Sequence, residues 1–147
     1  MEVIGGPWSA ETVERYLQSL VVPIRLASIA ADGAPVVLSL WYLYEGGSIW
    51  CATRRSSRLI ERLEREPRCG FEIAADTIPY RGVRGRAHAT IDAQHGAILL
   101  PRLISRYLGR ADSPLASWLL ARAESEVAIR LDHMRLSTWD FTARMTK

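Results

Sequence analysis

The sequence predicts a mainly β (α+β) fold, a barrel-like antiparallel β domain that helices cap or flank. Three observations carry this. Short runs of β-branched and aromatic residues recur along the chain, each bounded by Gly, Pro, Asp or Ser. The first runs follow one another through tight turns, in meander order. The helical segments between the later ones are too irregularly placed for βαβ crossovers, which excludes a parallel α/β sheet. At 147 residues the chain can bury a core without covalent staples, and without repeats or low-complexity linkers it reads as one domain, 1–147.

Ser9 is placed to cap a first helix running to about Leu20, with Val13, Tyr16, Leu17 and Leu20 on its apolar face. Pro23 ends that segment. Ile24 to Ala31 reads as a strand, Asp32-Gly33 as a turn, and Pro35 to about Tyr44 as the second strand of a hairpin. Glu45-Gly46-Gly47 turns the chain into a third strand from Ser48 to Ala52, stopping at Thr53, and an amphipathic helix follows. Pro67 breaks the chain before a fourth strand, Cys69 to Ala75. Tyr80 to Ile91 is a long fifth strand, in which Gly82 and Gly85 mark a bulge or a close approach of another backbone. Ala93 to Leu108 is helical, with a kink or restart expected at Pro101 and Gly109 fitting the position just past the end. Ser113-Pro114 opens a second helix to about Ala123. Glu126 to Leu131 and Leu136 to Phe141 complete the set as two short strands around a turn.

Composition removes several functional classes. The net charge of +3 is carried almost wholly by arginine, Lys147 being the only lysine, and it is spread along the chain. With no basic run, zinc-finger spacing or helix-turn-helix pattern, nucleic acid is not an expected partner. No apolar stretch is long enough to span a bilayer, so no membrane partner is expected, and no secretory signal opens the chain. A cytoplasmic location is expected. Cys51 and Cys69 both fall in strands, as buried thiols of a reducing compartment do. His88, His95 and His133 lie in three separate elements without metal-ligand spacing, and no metal site is expected.

Chemistry concentrates between Ser48 and Pro67. There a strand ends in Thr53, an Arg54-Arg55-Ser56-Ser57 loop follows, and Leu59, Ile60 and Leu63 then recur at helical spacing. A helix start presents unpaired N–H groups and a partial positive charge, and Arg54, Arg55 and Arg58 can grip phosphate oxygens in bidentate fashion. The competing reading is a solvated basic helix start with capping serines. Arg58 and Arg62 stand at i and i+4, where like charges repel, and this favours an anion between them and the loop. Trp41 and Trp50 fall in strands, where large aromatics are usually core. Trp139 with Asp140 either closes the barrel or lines a cleft. Tyr80 is placed to face a substrate. No nucleophile–base pair or paired carboxylate stands out, so the catalytic residues are unknown.

Four segments in this order, RLASIAADGAP, ATRRSSR with its helix and EREPR, PYRGVRGRAHA, and STWDF, resemble the flavin-binding split-barrel relatives of pyridoxamine 5′-phosphate oxidase. Together they span Arg25 to Phe141. The resemblance implies a six- to seven-stranded antiparallel split β-barrel with flanking helices, a homodimer, and a cofactor cleft at the subunit interface. By it, Thr53, Ser57 and Arg58 hold the phosphate of FMN, with Arg54 or Arg55 nearby. The backbone of Leu38, Ser39, Leu40 and Trp41 runs along the ring edge, and Tyr80, Arg81 and Arg84 approach from the fifth strand of either subunit. The sequence departs from the oxidase itself, with Leu38 and Leu43 where that enzyme has basic residues and a shorter C-terminal region. Pyridoxamine phosphate is therefore not the expected substrate. The implied function is an FMN-binding oxidoreductase acting on a small conjugated substrate. The alternatives are a reductase using deazaflavin (coenzyme F-420) and a non-catalytic flavin- or haem-binding sensor or carrier.

Overall fold

A computed structural model describes residues 1–110 and 112–145. Its core is one curled sheet in the order β3-β2-β6-β7-β8-β5-β4, with β1 added in parallel beside β8. The strands are β1 (Glu2–Gly5), β2 (Ile24–Ile29), β3 (Pro35–Leu40), β4 (Tyr42–Glu45), β5 (Ser48–Arg54), β6 (Arg68–Ala74), β7 (Arg81–Asp92) and β8 (Glu126–Asp140). The helices are α1 (Ala10–Ser19), α2 (Arg58–Arg65), α3 (Gly96–Leu108), α4 (Pro114–Leu120) and α5 (Thr142–Met145). Seven antiparallel strands along the main path make the half-open barrel that the sequence implies, and β1 is an addition to it.

The expected second strand, Pro35 to Tyr44, is divided at Trp41. Its first half pairs with β2 and its second half with β5. Those partners lie toward opposite ends of the sheet, so the chain itself spans the gap between the barrel's two edges. The sequence-based meander is thus a meander with a corner. Tyr107 sits at that corner: its hydroxyl accepts from Tyr42 N–H at 3.1 Å and donates to Val22 C=O at 2.8 Å.

The last two expected strands are instead one, β8, and the supposed turn is a bulge. Up to Leu131 the odd-numbered residues Val127, Ile129 and Leu131 face the core; beyond it the even-numbered Met134, Leu136 and Thr138 do. The switch falls at His133, which adopts φ 50°, opposite the register shift between Arg86 and His88 of β7. One extra residue reverses which parity points inward while the ladder continues. Ala128 is also fully buried, because α3 covers the outer face of β5 and β8 there.

Sequence capping signals coincide with the helix ends. Ser9, Ser57 and Ser113 accept N–H groups from the first turns of α1, α2 and α4, and Gly109 closes α3 at φ 68°. α3 runs as one helix through Pro101, with no restart there. The close approach expected at the β7 glycines is intrachain. A Cβ on Gly85 would lie 2.5 Å from Arg135 C=O, and one on Gly82 would lie 2.7 Å from the Trp139 ring. Cys51 and Cys69 are buried free thiols; burial pushes Cys69 up to about 12 and Cys51 well above its ordinary range.

Candidate functional site

The end of β5 carries Ala52, Thr53 and Arg54 to the rim of the barrel. Ser57 N–H donates to Arg54 C=O at 2.9 Å, closing a turn that delivers the chain into α2. Ser57 Oγ accepts Ile60 N–H at 3.4 Å, a long capping bond. That contact uses a lone pair of the hydroxyl and leaves its proton available to a ligand. Arg55 N–H donates to Ser125 C=O, tying the loop to the start of β8.

Facing this turn is an open cleft of about 680 Å³. One side is the β3 end, with Ser39, Leu40 and Trp41; a second is Thr53, Arg54, Ser56 and Ser57; a third is Leu100 and Leu103 of α3 with Leu115 and Leu119 of α4. Pro23, Ala52 and Glu126 complete it. β3 ends the main sheet path and pairs only with β2 among the described residues. The main chain of Ser39 to Trp41 therefore presents an edge without a strand partner, while the hydroxyls and the α2 N-terminus supply anion-binding groups. The cleft joins a polar, cationic end to an apolar one.

The aromatic groups around it are fixed. Trp41 stacks on Tyr107 with centroids 5.0 Å apart and planes 9° from parallel. Trp118 of α4 lies under Arg122, 3.6 Å from the guanidinium carbon to the ring centroid, with Arg54 at 5.9 Å. Arg54 thus faces an indole, a cleft and, across the β5–β8 ladder, Glu126. Burial raises the carboxyl of Glu126 above its ordinary value, and Arg54 partly offsets this.

Of the residues singled out from sequence, Ser39, Leu40, Trp41, Thr53, Arg54 and Ser57 meet in this cleft. Leu38 packs against the main core. Arg55 is exposed on the loop, and Arg58, the first residue of α2, borders a separate depression with Ala30, Asp32, Arg62 and Arg65. Tyr80, Arg81 and Arg84 line none of the cleft. Tyr80 N–H donates to the Met145 sulfur, Arg81 C=O accepts the Tyr16 hydroxyl, and Arg84 lies 5.4 Å over the Trp139 ring. Trp139 packs at Gly82, while the Asp140 carboxylate accepts Trp8 Nε1–H and caps α5. His88 is on β7, His95 precedes α3 and His133 is on β8. Sequence reasoning missed Glu126 and the leucines of α3 and α4. The leucines were visible as a helical stripe, but nothing in the sequence said what the stripe faces.

Comparison with known proteins agrees with this architecture. The family model described as pyridoxamine 5′-phosphate oxidase matches residues 12–140. Among solved structures, a conserved hypothetical protein from Mycobacterium tuberculosis superposes with a TM-score of 0.75 at 25% identity, covering 95% of this chain and 89% of that one. A protein described as F420 reductase gives 0.68 at 20% identity, covering 85% and 93%. A FAD-binding protein from Mesorhizobium loti gives 0.60 at 20% identity, covering 84% and 87%. A comparison with curated protein sequences finds no match. The match over most of its length, together with the curled antiparallel sheet, makes this chain a member of the pyridoxamine 5′-phosphate oxidase family of split-barrel proteins.

Proposed function

We propose that the chain is a cytoplasmic, single-domain FMN-binding oxidoreductase, and that the cleft between β3, the β5–α2 turn and the α3–α4 pair holds the cofactor. The observation that carries the proposal is the composition of that cleft. Hydroxyls and an arginine at a helix N-terminus suit a phosphate, an unpaired strand edge suits ring heteroatoms, and leucines with Trp41 suit a planar apolar ring. A ligand with an anionic tail and a flat ring meets each of these at once.

In this reading Thr53, Ser56, Ser57 and Arg54 bind the phosphate, with Arg58 and Arg55 adding positive charge from the first turn of α2 and the loop before it. Leu38 to Trp41 orient the ring through main-chain groups. The α3–α4 leucines keep water from its face. When bound, the flavin supplies hydride transfer to or from a small conjugated substrate. Tyr80, Arg81 and Arg84, which do not line the cleft of their own chain, serve it from the second copy of a homodimer. Coenzyme F-420 fits the same chemistry, and the family likeness to an F420 reductase keeps a deazaflavin reductase as the second reading.

The test is to purify the protein from a host that supplies both cofactors, record its visible spectrum and identify any released chromophore by mass. Two flavin bands with FMN released, followed by reductase turnover with NAD(P)H, support the first reading. A single deazaflavin band moves the assignment to the second. Bound cofactor without turnover makes the protein a carrier or sensor. Colourless protein that binds neither added FMN nor coenzyme F-420 removes the proposal.

A further inference from the structure

Glu126 is a carboxylate in a cleft otherwise built for an anion. It begins β8, opposite Arg54 in the β5–β8 ladder, and lines the cleft with Thr53, Arg54, Ser56 and Ser57. Among the described residues no hydrogen bond reaches its side chain, and Arg54 is the charged group whose field acts on it. The acidic groups elsewhere around the barrel are mostly engaged. Glu45 pairs with Arg102, Glu66 with Arg68, Asp76 with Arg25 and Asp132 with Arg130. Glu126 is instead half-buried, turned to the ligand space and short of donors.

A partly desolvated carboxylate without donors is unfavourable, and a phosphate placed against it would be repelled. Both penalties vanish if the ligand itself brings O–H or N–H donors to Glu126 and keeps its phosphate toward Ser56, Ser57 and the α2 N-terminus. The apolar wall of α3 and α4 takes the part of the ligand that has neither. Burial raises the proton affinity of Glu126, as expected of a carboxyl awaiting a partner.

Resting on the cofactor reading above, we infer that Glu126 accepts hydrogen bonds from the hydroxylated chain joining the ring to the phosphate, and so fixes which way round the ligand lies. It is a binding and orienting residue. The inference holds for FMN and for coenzyme F-420, since both carry a polyol between ring and phosphate.

The experiment measures dissociation constants of FMN and of coenzyme F-420 by fluorescence titration for wild type, E126Q and E126A. Inhibition of that binding by inorganic phosphate is measured alongside. Hydrogen bonds to a charged acceptor outweigh those to a neutral one, so E126A weakens cofactor binding by about ten- to a hundredfold and E126Q, which retains an acceptor, by about three- to tenfold. Inorganic phosphate, which lacks the polyol, binds the variants as well as wild type or better. If both variants bind cofactor as tightly as wild type or more tightly, Glu126 is only a repulsive neighbour and the inference falls while the cofactor reading stands. Equal weakening of cofactor and inorganic phosphate also overturns it, because the residue then acts through the fold. A wild-type protein that binds neither cofactor overturns both proposals together.

Discussion

Ser57 is expected to have two separable roles, and one set of substitutions divides them. Its Oγ caps α2 by accepting Ile60 N–H, and its proton is free for a phosphate. The capping distance of 3.4 Å is long, so its loss belongs at the weak end of the usual range, about 0.5–1 kcal/mol. In a domain of this size that lowers the melting temperature by roughly 1–4 °C for S57A. S57D behaves oppositely in the two assays. Aspartate is as good a cap as serine and its charge favours a helix N-terminus by about 0.3–1 kcal/mol, so the variant melts at or above wild type. The same charge beside a bound phosphate opposes binding by several kcal/mol at an effective dielectric of about 20, so FMN affinity falls at least about a hundredfold. Thermal melts and fluorescence titration of FMN on wild type, S57A and S57D make the comparison. If S57D binds FMN as wild type does, the anion is not at the α2 N-terminus, and the proposed orientation of the ligand is wrong. If S57D melts well below S57A, the capping role is wrong.

Three further outcomes follow from the geometry. The Arg106 guanidinium donates to Gln18 C=O at 2.8 Å, Leu17 C=O at 3.2 Å and Leu20 C=O at 2.8 Å, closing the end of α1. R106M takes the side-chain donor from Gln18 C=O, while the Tyr42 hydroxyl still reaches Leu17 C=O and Leu20 C=O, so it destabilises by about 1–2 kcal/mol, a drop of roughly 2–8 °C by calorimetry; a change under about 1 °C refutes the capping role. The raised carboxyl of Glu126 means the folded state holds its proton more tightly than the unfolded state. That contribution is complete below the unfolded value of about 4.3 and is lost as pH rises through the folded value, so the melting temperature of E126Q relative to wild type climbs from about pH 4 to neutrality, and a difference independent of pH contradicts it. With Cys69 pushed up to about 12 and Cys51 higher, neither thiol of the native protein reacts with a disulfide reagent at about pH 8, whereas both react in denaturant; rapid native labelling would show that the core opens there.

Local signals in this chain were legible where the physics is local. Three serine caps, Gly109 after α3 and the Asp32-Gly33 turn are each recognised within a few residues, and each is where the sequence places it. The β5–loop–α2 unit was readable for the same reason, because its hydroxyls, arginines and helix start are contiguous. Features set by distant partners were not. The break at Trp41 exists because β2 and β5 claim the two halves of one extended run, and tryptophan is a residue type common in strands, so nothing at Trp41 marks the break. The bulge at His133 did leave a trace, the change of apolar parity between Leu131 and Met134, but Asp132-His133 reads as a turn when no partner strand is known. β1 is four residues paired in parallel with the far end of β8, a contact that local pattern cannot anticipate. Glu126 escaped notice because its position opposite Arg54 depends entirely on the β5–β8 register.

The location of the cleft follows from these nonlocal events. A barrel closed by continuous pairing would offer no free edge, whereas here the chain passes from one side of the opening to the other at Trp41 and leaves β3, paired with β2 on one side, with its other edge free near β5. An unpaired apolar edge is a liability unless something covers it. The segment between β7 and β8 supplies part of the cover: α3 packs on Ala52 and Ala128, and α4 packs on α3. Gly96 sets how close this cover can come, since a Cβ there would collide with the backbone at Glu126. The helices still stop short of β3, and the remaining gap is the cleft. Its polar end lies at the β5–α2 turn because β5 is the strand next to the opening whose exit leads into a helix N-terminus. Edge, turn and helical wall are thus consequences of one corner in the chain, and a ligand that fills the cleft completes the barrel's closure. Bound FMN should therefore protect the amides of Ser39 to Trp41 from hydrogen exchange along with those of the β5–α2 turn. Protection confined to the turn would mean that the phosphate binds without the ring reaching the strand edge.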